Sequence, residues 1–392
     1  MAENGILKVT GHDRQPSSQR VGRVVLMIGQ LGMGGTEKQV VLLARGLRDR
    51  GIDISVWALY DSARNHHEDE LRQSGINVVN VGLHGYREVC YTLQNIARIG
   101  GMVARLRRER PDIVHAFLFH TYVIAAPVAR MARVPVLVAG RRSLGNFKED
   151  RPMARVAERL ATSATDLLIA NAAAVAEDTK RRERVRESMI EVIYNGLPAQ
   201  AFAQVSPADV ETAGPLVLCV ANLKRYKGHR YLLEAMSLLQ RGGRACTLLL
   251  AGEGAERHAL ERQAGLLGID VRFLGACDDV RPLLARADVV AHASLEEGMS
   301  NAVMEAMAAG RAVVATSVGG TPELLRGRGL LVPPADPAAL ADAIEQVLAD
   351  RVLAGRLGAA ARSWSRAHLS AGAMVDRHIQ IYSDLMERRC AG

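Results

Sequence analysis

The stretch Ser294–Gly320, SLEEGMSNAVMEAMAAGRAVVATSVGG, reads as loop, helix, buried strand and loop. A Gly-Met-Ser-Asn turn, Gly298–Asn301, opens an Ala/Met-rich helix. The apolar run Ala312–Ala315 follows and ends at a second glycine turn, Gly319-Gly320. A short run apolar at every position suits a strand covered on both faces, as in a parallel sheet. The N–H groups that open a helix have no partner inside it, and the helix dipole places its positive end there, so the turn is a ready anion site. Seven residues separate Glu297, on the loop, from Glu305, expected about two turns into the helix. One segment therefore offers amides for a phosphate and two carboxylates for hydroxyls.

The same alternation extends outward in both directions. Upstream in the second half stand the strands LVLCVAN, CTLLLAGEG, VRFLG and DVVAHAS, with helices between them, and downstream stands GLLVPP. The first half repeats this grammar: Val24–Ile28, a glycine loop and a helix, then Ile54–Leu59, Val78–Val81, PDIVHAF, PVLVAG, DLLIAN and IEVIYNG. Strands alternating with helices predict parallel sheets covered on both faces. The expected order is a loose tail over 1–20, a first domain over 21–197 and a linker over 198–213, which holds Pro198 and Pro207. A second domain follows over 214–368, and a last helix over 369–392. Two doubly wound halves in tandem leave a cleft between the carboxyl ends of their strands, where ligands bind in such folds.

At 392 residues and 48% hydrophobic content there is material for two ordinary α/β cores. Five scattered cysteines, Cys90, Cys219, Cys246, Cys277 and Cys390, include no CxxC pair, so neither a disulfide framework nor a zinc site is indicated. The start lacks the apolar core of a signal peptide, and no run is long and apolar enough to span a membrane, so the expected location is cytoplasmic. The net charge of +8 lies wholly in residues 1–200, which carry 29 Lys+Arg against 21 Asp+Glu. Clusters at Arg105–Arg110, Arg141-Arg142 and Lys180–Arg186 are either solvated faces or a surface for anionic lipid or a phosphate-bearing acceptor. They lack interleaved aromatics, which disfavours nucleic acid as a partner.

Seven separated motifs, in order, resemble one family. They are GMGGTEKQVVLLARGL, PDIVHAFLFH, VIYNG, VANLKRYKGHRYLLEA, LAGEGAER, EEGMSNAVMEAMAAGRAVVATSVGGTPE and GLLVPPADPAALADAI. The chain resembles the retaining glycosyltransferases of family GT4, of the bacterial cell-surface polysaccharide type. The resemblance implies the GT-B fold, two Rossmann-like domains with an interdomain cleft. It implies that Glu297 contacts the donor sugar ring and Glu305 the ribose hydroxyls. Lys227 matches the lysine of the family's basic pair on the donor diphosphate. The arginine position of that pair holds Asn222, leaving Lys224 or Arg225 as the substitute charge. Gly34 and Gly35 match the glycine loop near donor phosphates and acceptor. His115 stands where a His-x-His begins, but Phe117 replaces the second histidine, and His120 aligns with an active-site histidine of that segment. The last helix is expected to cross back to the first domain.

The implied reaction breaks the bond between the anomeric carbon and a phosphate, so charge grows on the leaving diphosphate. Lys227 and the amides of Gly298, Met299, Ser300 and Asn301 suit its stabilisation. With no Asp-x-Asp in sight, no metal and no cofactor are expected. The donor is a nucleotide sugar, UDP-linked rather than GDP-linked on family frequency. The acceptor is a glycan or lipid-linked precursor, and the protein would sit peripherally on the inner face of the membrane. A dinucleotide-dependent oxidoreductase fits poorly, because Glu37 stands where the third glycine of G-x-G-x-x-G belongs. The remaining alternatives are a sugar-nucleotide epimerase, a glycosyl phosphorylase or a non-enzymatic sugar-nucleotide-binding protein.

Overall fold

The computed structural model describes residues 21–32, 34–60, 66–84, 93–146, 149–212 and 214–391; the expected tail and Cys90 fall outside them. The apolar runs form parallel strands. In the first domain these are β1 (Arg23–Ile28), β2 (Asp53–Tyr60), β3 (Asn77–Leu83), β4 (Ile113–Phe117), β5 (Val136–Arg141), β6 (Leu167–Ala170) and β7 (Ile190–Val192). In the second they are β8 (Leu216–Val220), β9 (Thr247–Ala251), β10 (Val271–Gly275), β11 (Val289–His292), β12 (Val313–Thr316) and β13 (Leu330–Val332). The sheet orders are β3-β2-β1-β4-β5-β6-β7 and β10-β9-β8-β11-β12-β13. Both are doubly wound, and each reverses direction once, between β1 and β4 and between β8 and β11. In such sheets the ligand crevice opens beyond the carboxyl ends of the strands at that reversal.

Each sheet is buried on both faces. Val24, Leu26 and Ile28 point to one side of β1, while Val25 and Met27 point to the other. The helix Ala371–Cys390 belongs by contact to the first domain: Met374, Val375, Ile381, Tyr382 and Leu385 lie in the core beneath β1 and the helix Gly35–Asp49. Ser370 caps it, accepting from the Ala373 N–H at 3.1 Å, which sets its start at Ala371. His115 is fully buried here. Its Nδ1 meets the Tyr382 hydroxyl at 2.7 Å, which ties β4 to the last helix.

The helix Ala173–Glu183 ends where Arg184 turns left-handed at φ 56°. One expectation needs correction. Arg141 and Arg142 form neither a solvated loop nor an open phosphate site, since both are buried. Arg141 makes a two-pronged pair with Glu183, at 3.0 and 2.8 Å, over the face of Tyr122. Arg142 donates to Asn195 Oδ1 at 2.8 Å. A buried guanidinium needs such partners, and here they come from 42 and 53 residues away.

Candidate active site

The two reversal points gather most of the candidate residues. Gly34 and Gly35 follow β1, and His120 follows β4. Arg225 and Lys227 follow β8, and Glu297 follows β11. Ahead of His120, Leu118 holds φ 70°, a left-handed backbone that costs a branched residue on the order of 1 kcal/mol.

Glu297 is the centre of a buried cluster. Its Oε1 accepts from Lys227 Nζ at 2.5 Å, from His292 Nε2 at 2.7 Å and from Ser294 Oγ at 2.7 Å. Burial pushes its carboxyl up, but the hydrogen bond from His292 and the charge of Lys227 outweigh that and hold it at about 2. His292 also lies 3.2 Å from Ser300 Oγ, and Ser300 caps the helix Asn301–Ala308 by accepting from the Val303 N–H. The carboxylate and the helix mouth are thus held by one set of side chains. Close by, burial together with His292 and Lys227 drives His229 down to about 4, so it is neutral near pH 7.

Glu305 lies only four residues after Asn301, one turn into the helix rather than two, because the helix starts at the end of the turn and not within it. It borders a cavity of about 450 Å³ beyond β8, β9 and β10, a volume within the range of small-molecule sites. Asn222, Gly252, Cys277 and Glu305 line the cavity from the second domain, with Lys38 and His67 from the first. Lys38 Nζ stands 3.6 Å from Glu305 across the cleft. Burial raises the Glu305 carboxyl above its ordinary value, and Lys38 opposes that. The structure therefore separates the two glutamates, Glu305 on the open cavity and Glu297 in the closed cluster.

The remaining candidates divide. Asn301 Nδ2 donates to the Gly35 carbonyl at 3.0 Å, and a Cβ on Gly35 would stand 3.2 Å from that amide, so the glycine loop touches the helix mouth. A Cβ on Gly298 would stand 2.1 Å from the Arg142 carbonyl, and Met299 is buried. Arg225 is exposed on the short 3-10 turn Arg225–Lys227, apart from the Glu297 cluster. Lys224 acts across the cleft instead, its charge favouring ionisation of Glu37, which burial disfavours. His120 is half-buried with its ring edge-on to Phe119, and burial, with the charge of Arg151, lowers it below the usual histidine value. Among the described residues no group of three or more His, Cys, Asp or Glu could hold a metal ion.

Sequence reasoning did not single out His292, Ser294, Asn195 or Lys38. His292 carried a signal, a lone titratable side chain in the apolar run of β11. Asn195 donates to Asn301 Oδ1 at 2.8 Å, a contact between residues 106 apart with no local trace.

Two doubly wound domains with the candidate groups gathered at facing reversal points make this a protein of the GT-B class. Residues 33–200 match Glycosyltransferase Family 4, and residues 214–350 match Glycosyl transferases group 1. The chain belongs to the family 4 glycosyltransferases. It is similar to the lipopolysaccharide core biosynthesis glycosyltransferase LpsE of Rhizobium meliloti, 28% identical over 363 residues, covering 89% of this chain and 95% of that one. It is also similar to the D-inositol 3-phosphate glycosyltransferase of Corynebacterium diphtheriae, 27% identical with 90% of each chain covered. In fold it resembles Anabaena HepE, solved in complex with UDP, at a TM-score of 0.79, 23% identity, and coverage of 92% of this chain and 100% of that one.

Proposed function

We propose that this glycosyltransferase moves a sugar, with retention of anomeric configuration and without a divalent cation, from a UDP-sugar to a hydroxyl of a lipid-linked or polysaccharide precursor on the cytoplasmic side. The observation that carries this is the Lys227–Glu297 pair buried beside the mouth of the helix Asn301–Ala308. A donor diphosphate competes with Glu297 for Lys227. Once the ammonium turns to the phosphate, Glu297 is free to accept from sugar hydroxyls, and the helix mouth adds amides for the growing negative charge. Glu305, on the cavity floor, takes the ribose hydroxyls. The base lies beside Cys277 and Gly252, and His120 faces the reacting centre from the first domain. Two facts support UDP and the acceptor class: HepE was solved with UDP-glucose, and LpsE carries a lipopolysaccharide name.

A thermal-shift panel of UDP-, GDP- and ADP-sugars, run with and without EDTA, tests the reading. A true donor stabilises the fold by mass action, by about 2.7 kcal/mol at a hundredfold excess over Kd. The UDP-sugars should shift the melting point most, and EDTA should not remove the shift. A panel with no shift from any sugar nucleotide would defeat the donor assignment.

A further inference from the structure

The helix Pro152–Ser163 turns three large apolar side chains to solvent: Met153, Val156 and Leu160, exposed at 78%, 67% in the case of Leu160, and 50% in that of Val156. Spacings of three and four residues put them in one stripe along the helix. Single exposed apolar residues are ordinary, but an aligned stripe marks a contact surface. The opposite face is settled: Glu158, Ala161 and Thr162 are buried against the domain. The stripe is therefore held outward by a helix already packed in place.

Arg155 and Arg159, both exposed, run along one edge of the stripe. Among the described residues neither is in an ion pair. Other arginines of the basic half are neutralised locally, Arg105 by Glu109, Arg130 by Asp166 and Arg182 by Asp178. The charge left free beside exposed methionine and leucine is thus positive. The helix also adjoins the cleft. Arg151, just before it, stands close enough to influence His120, and Asn146 in the preceding loop hydrogen-bonds Glu296, the neighbour of Glu297.

We propose that the outward face of Pro152–Ser163 docks this chain on an anionic lipid surface, with Met153, Val156 and Leu160 entering the headgroup–acyl boundary and Arg155 and Arg159 on lipid phosphates. An apolar face edged by cations is the pattern of helices that lie in a membrane interface. A second copy of the chain is a poorer occupant, since a two-fold pairing of this face sets its free arginines against one another. No helix among the described residues is long and apolar enough to cross a membrane, so docking is peripheral. Docking here sets the cleft beside the bilayer surface. This deepens the reading of a lipid-linked acceptor and rests on it for its purpose.

Flotation with vesicles of equal phosphatidylglycerol and phosphatidylcholine, and with phosphatidylcholine alone, tests the proposal on the full chain. The wild type should float with the anionic vesicles and much less with the neutral ones. The triple variant M153E/V156E/L160E should lose binding by on the order of a hundredfold. R155Q/R159Q should lose roughly fivefold per arginine, together with most of the salt dependence. All these positions are exposed, so melting points should match the wild type, and M153S/V156S/L160S repeats the apolar test without added charge. Equal flotation of the wild type and both triple variants would overturn the proposal, as would light scattering in which the triple variants turn a dimer into a monomer. The melting-point shift from a UDP-sugar in the absence of vesicles is read in parallel. Its absence in the wild type would undo the UDP-sugar reading and leave the vesicle result standing on its own.

Discussion

Three donors converge on a single oxygen of Glu297, and this governs what the residue does when it is changed or protonated. Glu297→Gln keeps the volume but removes the charge that holds Lys227, so transfer should fall by about 10²–10³-fold with the fold intact, as when one charge-stabilising group is taken from a preorganised site. Steady-state turnover with the donor found by the thermal-shift panel measures this. The same substitution has an acid signature. A carboxyl held at about 2 in the folded chain and at 4.5 otherwise contributes stability that is complete above about pH 4.5 and is lost as the pH falls through about 2. Urea midpoints across that window should drop more steeply for the wild type than for Glu297→Gln, and parallel curves would mean that the carboxylate is not held as described. His292 acts through Glu297 and is a positioning residue. His292→Leu removes one donor to a buried carboxylate, at a cost of about 1–3 kcal/mol. It should lower kcat about tenfold with little change in the donor KM, and His292→Asn should restore part of the loss. An equal effect on both parameters would point to a merely structural histidine.

At the level of elements, the close backbone approach at Gly298 is what brings the loop after β11 against the first domain. A Cβ on Gly298 would stand 2.1 Å from the Arg142 carbonyl, backbone that cannot step aside. Gly298→Ala should therefore destabilise by about 1–3 kcal/mol and weaken donor binding together with stability, read as a lower melting point and a smaller shift on adding donor. A melting point equal to wild type would show that the loop has slack. The strands around these loops were legible because a strand in a parallel sheet is apolar at nearly every position, and runs such as VVLMI and LVLCV carry that on their face. The helix His66–Gln73, HHEDELRQ, was not read, because its apolar spacing is almost absent and packing on the neighbouring helix carries it. Thr321–Leu325 escaped because Gly-Gly-Thr-Pro looks like a turn and the helix is only five residues long. The site was legible where its signal is local, as in the two glutamates and the glycine turns. Arg141 and Arg142 were misread because charge in a sequence does not reveal burial, and the partners that permit it, Glu183 and Asn195, come from other elements.

On the scale of the whole molecule, the two domains meet through a few polar contacts around an apolar patch. Ala172 and Val175 of the first domain share a core with Met299 and Val303 of the second. Asn301 reaches the Gly35 carbonyl, and Lys38 faces Glu305. One contact is of a different kind. Glu323 of the second domain caps the first-domain helix Ala173–Glu183, its two oxygens each accepting a backbone N–H, from Ala173 and Ala174, at 2.8 Å. That helix has no side-chain cap of its own, since Ala172 occupies the cap position. A carboxylate at a helix mouth gains from both the free N–H groups and the dipole, and here the gain is available only while the domains are together. Glu323→Ala should thus cost about 1 kcal/mol, spent on domain closure rather than on either core. Without donor, the radius of gyration from X-ray scattering should rise, and saturating donor should restore it, since a ligand that binds the closed form draws the equilibrium back. The donor KM should rise about fivefold, the factor that 1 kcal/mol represents in a binding equilibrium, while turnover at saturation stays near the wild-type rate. A radius unchanged without donor, together with an unchanged KM, would mean that the cap belongs to the stability of one helix and has no part in closing the cleft.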